Sequence, residues 1–192
     1  MKHKHLIIFG SVMIVAWAIG TFAYLNYYPH SIYNMLEKSI TQKGVDADTS
    51  TGIPVNTLHA VSELASPSSS LSRLLTTGNH DTLYVVGWLD LSKGALVLHV
   101  PDFSGRYYAV QFTDPSDGTD FAYVGTRTTG TDAGDYLVTG PDWKGQVPQG
   151  MKQISSPNNS VLILGRALVY SDSDLPIAYG LTKQIQLAPL SQ

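Results

Sequence analysis

Four consecutive residues, Asn79-His80-Asp81-Thr82, bring an amide, an imidazole, a carboxylate and a hydroxyl together just ahead of a long apolar stretch. An imidazole beside a carboxylate can serve as a general base, because the carboxylate favours the protonated ring. His80 and Asp81 are therefore the candidate catalytic pair. The same residues also suit a tight turn, with Asn79 and Asp81 bonding the backbone. No nucleophile in an elbow context accompanies them, so the turn is the simpler reading.

A second group lies in the loop Gly125 to Gly134 (GTRTTGTDAG). Its glycines free the backbone, its threonines offer hydroxyls and Arg127 supplies a guanidinium. Such a loop can hold a carboxylate or phosphate through backbone N–H groups and a bidentate arginine contact. It has neither the spacing of a P-loop nor that of a dinucleotide fingerprint. The alternative is a long connection whose threonines satisfy backbone groups while Arg127 pairs with Asp132 or Asp135. Arg106 and Arg166 fall at or within stretches that otherwise read as buried. A buried guanidinium needs a carboxylate, and Asp81, Asp90 and Asp114 are available. If the arginines converge instead, an anionic ligand follows, and the binding set becomes Asn79, Thr82, Arg106, Arg127, Thr128 and Arg166.

Other chemistry is thinly represented. The chain has no cysteine, which removes disulfides, thiolate nucleophiles and zinc-thiolate sites. His59 and Glu63 are spaced i, i+4 and His99 stands alone, fewer ligands than a catalytic zinc requires. No metal and no cofactor are expected. Tyr84, Trp88, Tyr107, Tyr108, Tyr123 and Trp143 can line a ring-binding pocket, but at strand spacing they read first as core. Setting aside Lys2 and Lys4, ten basic residues face fifteen acidic ones. That balance lacks the basic footprint needed to neutralise phosphates, so nucleic acid is not an expected partner.

The elements that must position these groups are mostly strands. Thr82 to Leu91 is apolar on both alternating faces, as in a strand covered on two sides. Ala95 to Val100, Arg106 to Asp114, Phe121 to Val124, Asp135 to Thr139 and Ser160 to Ala167 follow, separated by Gly, Pro and Asp. Strands at this spacing predict an antiparallel β-sandwich or jelly-roll-like domain with a few peripheral helices. A helix is expected over Asn56 to Leu64, with Leu58, Val61 and Leu64 or Ala65 facing inward and Pro67 closing it. A final helix is expected from Asp174, with Pro176 in its first turn and Ile177, Leu181 and Ile185 on one side.

Leu6 to Leu25 (LIIFGSVMIVAWAIGTFAYL) carries no charge, and only Ser11 and Thr21 are clearly polar. Twenty residues at about 1.5 Å each make a helix of about 30 Å, the thickness of a hydrocarbon core. Tyr24, Tyr27 and Tyr28 gather where an interfacial aromatic belt sits. Lys2 and Lys4 precede the span, and no charge follows before Glu37. The positive-inside rule then keeps the N-terminus cytoplasmic and sends the rest across. A cleaved signal peptide is the competing reading, but its apolar region is usually about 7–15 residues. Pro29 is expected to end the span, with Ser31 capping a short juxtamembrane helix and Gly44 to Gly52 forming a linker. The resulting division is an anchor over residues 1–28, a juxtamembrane helix and linker over 29–55, and a β-rich domain over 56–192.

Asn79-His80-Asp81-Thr82-Leu83-Tyr84, Trp88-Leu89-Asp90-Leu91-Ser92, Val100-Pro101-Asp102, Arg106-Tyr107-Tyr108 and Gly125-Thr126-Arg127-Thr128-Thr129-Gly130 occur in this order. Gly140-Pro141, Ile163-Leu164-Gly165-Arg166 and Leu187-Ala188-Pro189-Leu190 continue the series. Together they resemble the bacterial domain of unknown function family 1254 (DUF 1254) over about Asn56 to Leu190. The resemblance implies a sandwich or jelly-roll-like fold, a bacterial source and no settled activity. Longer relatives carry a family-1214 domain downstream, which makes a family-1214 protein supplied in trans the expected partner. The expected function is a ligand-binding or interaction module, anchored in the inner membrane and facing the periplasm. The alternative is an enzyme on a small anionic substrate, working through the Asp81 turn and the Arg127 loop.

Overall fold

The computed structural model describes residues 2–46, 48–65 and 79–190. Helix α1 (Lys2–Lys38) runs into a π-helical turn (Ser39–Lys43). The strands are β1 (Leu58–Ala60), β2 (Thr82–Asp90), β3 (Leu96–Val100), β4 (Tyr108–Thr113), β5 (Asp120–Gly125), β6 (Gly134–Thr139), β7 (Lys152–Ser155) and β8 (Ser160–Leu168). Helix α2 (Leu175–Thr182) and strand β9 (Gln186–Pro189) close the chain. One sheet has the order β1-β2-β8-β4-β5 and is antiparallel throughout. The other has the order β7-β6-β3-β9, with β6 and β7 parallel and the remaining pairs antiparallel. The expected β-sandwich is the observed architecture.

Alternation along the strands decides which face each residue serves. Val85 and Leu89 of β2, Val161 and Ile163 of β8, and Tyr108, Val110 and Phe112 of β4 enter the core between the sheets. Leu96, Leu98, Val100, Tyr136 and Val138 meet them from the second sheet. Phe103 stacks on Tyr108 with ring centroids 4.1 Å apart. The even-numbered residues of β2 and β8 point the other way: Tyr84, Val86, Trp88, Leu162 and Leu164 form a second apolar layer. β7 and β9 escape sequence reading because they are short and mostly exposed, with no alternating apolar signal.

The outer layer is covered by the segment that follows the apolar helix, and three sequence expectations change there. Helix α1 does not stop at Pro29; it continues to Lys38. A proline removes one backbone bond, and the turns beyond it are held by Tyr33, Leu36 and Ile40 packing on the outer layer. Ser31 is therefore mid-helix, donating from Oγ to the Tyr28 carbonyl at 2.8 Å, and is not a cap. Gly44 to Gly52 is a packed turn where a linker was expected: Val45 is buried and Thr49 Oγ1 accepts from the Val45 N–H at 2.9 Å. His59 Nε2 lies 2.6 Å from Asp46 Oδ2 and ties that turn to β1. Burial pulls the Asp46 carboxyl upward, but hydrogen bonds from His59 and Thr49 outweigh it and hold the group below its ordinary range.

The helix expected over Asn56 to Leu64 is a strand. Asn56 takes a left-handed backbone (φ 66), and its side chain bonds both Asp90 backbone groups. Leu58–Ala60 then pairs with the edge of β2. The apolar spacing fitted a helix, but an unpaired β2 edge offers a backbone ladder that local propensity cannot weigh. Pro67, the expected stop, lies outside the described residues.

Near the C-terminus, α2 starts at Leu175 with Pro in its first turn, one residue after the expected position. Ile177 faces solvent, and Ile185 is buried only after the helix has ended. Asp174 does not cap the helix. Its oxygens accept from Arg106 Nη1 at 2.5 Å and Nη2 at 2.7 Å, and from the Tyr170 N–H at 2.9 Å. Those bonds, led by the Arg106 contact, lower the Asp174 carboxyl to about 2. Because the folded-state value lies below the ordinary 3.8, the pair stabilises fully above that value and the contribution disappears as pH falls through about 2. Asp174→Asn should lower the unfolding temperature at pH 7 by several degrees, and the gap to wild type should close between about pH 4 and pH 2. Thermal unfolding across that range checks this; two parallel stability curves would refute it.

Candidate functional site

The register of the five-stranded sheet sets out its outer face in rows. Trp88, Leu162, Thr113 and Asp120 form one row, and Val86, Leu164, Gln111 and Tyr123 form the next. The covering helix and turn lie over the β2–β8 side of these rows. The third row is Tyr84, Arg166, Ala109 and Gly125. Two of its members are the smallest side chains available, and a depression results. A cleft of about 340 Å³ is lined by Tyr107, Ala109, Tyr123, Gly125, Arg127, Thr128 and Arg166, among others. It adjoins a shallower one of about 370 Å³, lined by Asn79, Asp81, Thr82, Tyr84 and Leu168 and sharing Tyr107, Arg127 and Arg166.

The two guanidiniums lie against tyrosine faces. Arg127 sits 5.5 Å from the Tyr107 ring centroid, and Arg166 sits 5.6 Å from that of Tyr84. Arg166 also donates to Gln111 Oε1 at 3.3 Å. Among the described residues neither has a carboxylate within 4.0 Å, the ion pairs being Asp46–His59, Asp90–Lys93, Asp135–His99 and Asp174–Arg106. The alternative pairing of Arg127 with Asp132 or Asp135 is thus not formed; Asp135 is taken by His99 at 2.7 Å. Guanidiniums held on aromatic faces keep their N–H edges available to a planar or phosphate anion.

The Arg127 loop is built around one carbonyl. Gly125 O accepts from the N–H groups of Thr128 and Thr129, each at 2.9 Å, and of Gly130 at 3.2 Å. The Gly125 N–H donates to Thr129 Oγ1 at 3.0 Å. The threonines thus satisfy backbone, as the simpler reading held, while Arg127 is carried outward. A Cβ on Gly125 would stand 2.4 Å from the Tyr108 carbonyl oxygen and 2.7 Å from Ala109 Cα, so only glycine fits.

The Asn79 turn is held by Asn79, as its simpler reading expects, but not by the Asp81 carboxylate. Asn79 Oδ1 accepts from the Thr82 N–H at 3.1 Å and Thr82 Oγ1 at 2.9 Å, and Nδ2 donates to the Thr82 carbonyl at 2.8 Å. Both residues border the cleft with their polar atoms already engaged. His80 and Asp81 are exposed, and no hydrogen bond or ion pair joins them. Arg106, assigned to the binding set from sequence, is held by Asp174 and the Leu168 carbonyl instead and does not line the cleft. Its partner is none of the three aspartates named from sequence; Asp90 bonds Ser92, and Asp114 bonds Asn158. Sequence reasoning assigned Tyr107 and Tyr123 to the core, whereas both line the cleft. Their parity with Ala109 and Gln111 on the outward face was the usable signal.

The fold and cleft define a two-sheet β-sandwich carrying an arginine–tyrosine groove on one outer face. The chain belongs to the family described as "Protein of unknown function (DUF1254)", whose model matches residues 55–189. No curated protein matches it. The VPA0106 protein from Vibrio parahaemolyticus shares the fold at a TM-score of 0.64 with 24% identity, over 88% of this chain. This chain spans 37% of that protein's length. A putative uncharacterized protein from Burkholderia cenocepacia aligns at a TM-score of 0.40 with 15% identity, over 59% of this chain and 31% of its own.

Gly125→Ala should destabilise the domain by roughly 1–3 kcal/mol, the usual cost of forcing extra volume into a packed place. Urea denaturation measures it. A variant as stable as wild type would mean that the β4–β5 contact yields more freely than its geometry indicates.

Proposed function

We propose that this protein is a membrane-anchored, extracytoplasmic binding module whose groove takes an anionic ligand. One observation carries the reading: Arg127 and Arg166 line a single cleft on tyrosine faces, with no carboxylate within 4.0 Å of either among the described residues. Placement outside the cytoplasm is supported by α1, which is long and apolar enough to cross a bilayer. Its apolar side chains from Ile8 to Leu25 are exposed, and the only cations near its start are Lys2 and Lys4. An inner-membrane anchor through residues 6–25, with the N-terminus in the cytoplasm and the domain in the periplasm, follows from the positive-inside rule.

Binding is favoured over catalysis because the groups a reaction would need are not assembled. His80 and Asp81 do not engage each other, and Arg106 is committed elsewhere.

Titrating the full chain in detergent with inorganic phosphate and with benzoate, followed by calorimetry, tests the groove. Arg127→Gln with Arg166→Gln should weaken binding roughly tenfold or more, since two charge-assisted contacts are lost. Lys93→Gln, remote from the cleft, should leave it unchanged. Equal affinity in all three proteins would remove the assignment.

The family-1214 partner rests on the resemblance and is proposed with it. Co-expression and detergent purification should give one co-eluting complex; separate elution removes the partner from the proposal.

A further inference from the structure

The direction in which α1 leaves the domain bears on what the groove binds. Tyr33 packs against the β4–β5 turn, where a Cβ on Gly118 would stand 2.9 Å from the Tyr33 hydroxyl. Burial, with Asp120 and Asp117 close by, raises the Tyr33 phenol above its ordinary value. Seven residues later Ile40 lies in the layer that contains Val86 and Trp88 of β2, and its carbonyl accepts from the Ile53 N–H at 2.9 Å. About 10 Å of helix thus passes from β5 to β2, a distance of three strand spacings or about 14 Å, with the Tyr33 side chain covering the difference. The helix therefore advances from the β5 side of the sheet toward the β2 side.

With α1 upright in a bilayer, the β5 side of this sheet lies nearer the membrane than the β2 side. β5 is then the lowest strand and β1 the highest. Leu25 precedes Tyr33 by eight residues, or about 12 Å of helix, so β5 lies just above a headgroup layer some 5–7 Å thick. The third row of the outer face runs from the β5 side to the β2 side, in the order Gly125, Ala109, Arg166, Tyr84. Its two smallest residues are at the bottom. Thr128 stands at that lower mouth, Arg127 from the same loop lies over Tyr107 and lines both clefts with Arg166, and Asp81 borders the upper end.

We infer that the groove receives the phosphate-bearing headgroup of a lipid in the same bilayer, entering past Gly125 and Ala109. This rests on the anchored binding module proposed above and names its ligand. Arg127 and Arg166, which line both clefts together, bond the phosphate oxygens. A headgroup with hydroxyls past the phosphate, such as a glycerol or a sugar, extends into the adjoining cleft and offers donors to Asp81. Phosphate chemistry alone also suits a free anion, and the source distinguishes the two.

The absence of cysteine makes single-site labelling clean. The full chain carrying Thr128→Cys or, separately, Thr57→Cys with a fluorophore is placed in nanodiscs containing phosphatidylglycerol with brominated acyl chains. The Thr128 label should be quenched and the Thr57 label, beside β1 and about four strand spacings higher, should not. In parallel, native mass spectrometry of the unlabelled chain in detergent with added phosphatidylglycerol should show bound lipid. Retention should fall roughly tenfold or more in Arg127→Gln with Arg166→Gln and recover in part with Lys at both positions. Circular dichroism confirms that both variants are folded. If inorganic phosphate binds the groove but lipid retention does not depend on the arginines, or if the two labels are quenched alike, the lipid assignment is overturned and the binding module stands. If neither phosphate nor lipid binds in an arginine-dependent way, both readings fall together.

Discussion

Strands β2 and β8 are apolar on both faces, and the rest of the structure answers to that. Such a pair cannot lie at the surface of a one-sided sandwich without exposing a contiguous apolar sheet to water. The second sheet covers one face through Leu96, Leu98, Val100 and Val138. The other is covered by Tyr33 and Leu36 from the last turns of α1 and by Ile40, Val45 and Ile53 from the chain that follows it. This stretch of chain is thus a third layer of the fold. This explains why α1 continues through Pro29 and why the Gly44–Gly52 stretch is packed. Trp88 shows the joint arrangement: it is buried under this layer, and its indole N–H donates to Ser160 Oγ at 2.9 Å on the neighbouring strand.

The cover is incomplete, and the groove is what it leaves open. Beyond Val86 and Leu164 the outward row changes from aliphatic residues to Tyr84, Arg166, Ala109 and Gly125. Apolar residues there would need a further cover. Arginines on tyrosine faces do not, since the rings shield the stems and the N–H edges stay solvated. Arg106 shows the opposite solution. It is turned from the groove, only 8% exposed, and its charge is met by Asp174. Of the three arginines considered from sequence, burial with a carboxylate makes one structural, and the other two have no carboxylate within 4.0 Å among the described residues.

Rigid continuity between α1 and the sheet gives the site an orientation. A helix joined to its domain by a flexible linker leaves the binding face free to turn. Here Tyr33, Leu36 and Ile40 pack the end of the helix on the outer face, and Asp46 and His59 fasten the following turn to β1. Residues on the same face as the helix therefore keep a set height and direction relative to its apolar portion.

Much of this protein was legible in the sequence, for reasons of local physics. Uncharged length declared the apolar part of α1, apolar runs set off by Gly, Pro and Asp declared β2, β3, β4 and β8, and the Asn79 turn and the threonines of the Arg127 loop followed from the bonds those side chains prefer. Where local physics was ambiguous, the tertiary structure decided. Leu58, Val61 and Leu64 suit a helix as well as a strand, and only the open edge of β2 settled it. Arg106 finds Asp174 across 68 residues because the chain after β8 returns beside β4, which no local pattern encodes. The cleft is likewise a product of register: Ala109 and Gly125 are ordinary small residues until antiparallel pairing sets them in one row beside Arg166. Composition and periodicity are properties of neighbours in the chain, whereas ion-pair partners and hollows belong to neighbours in space.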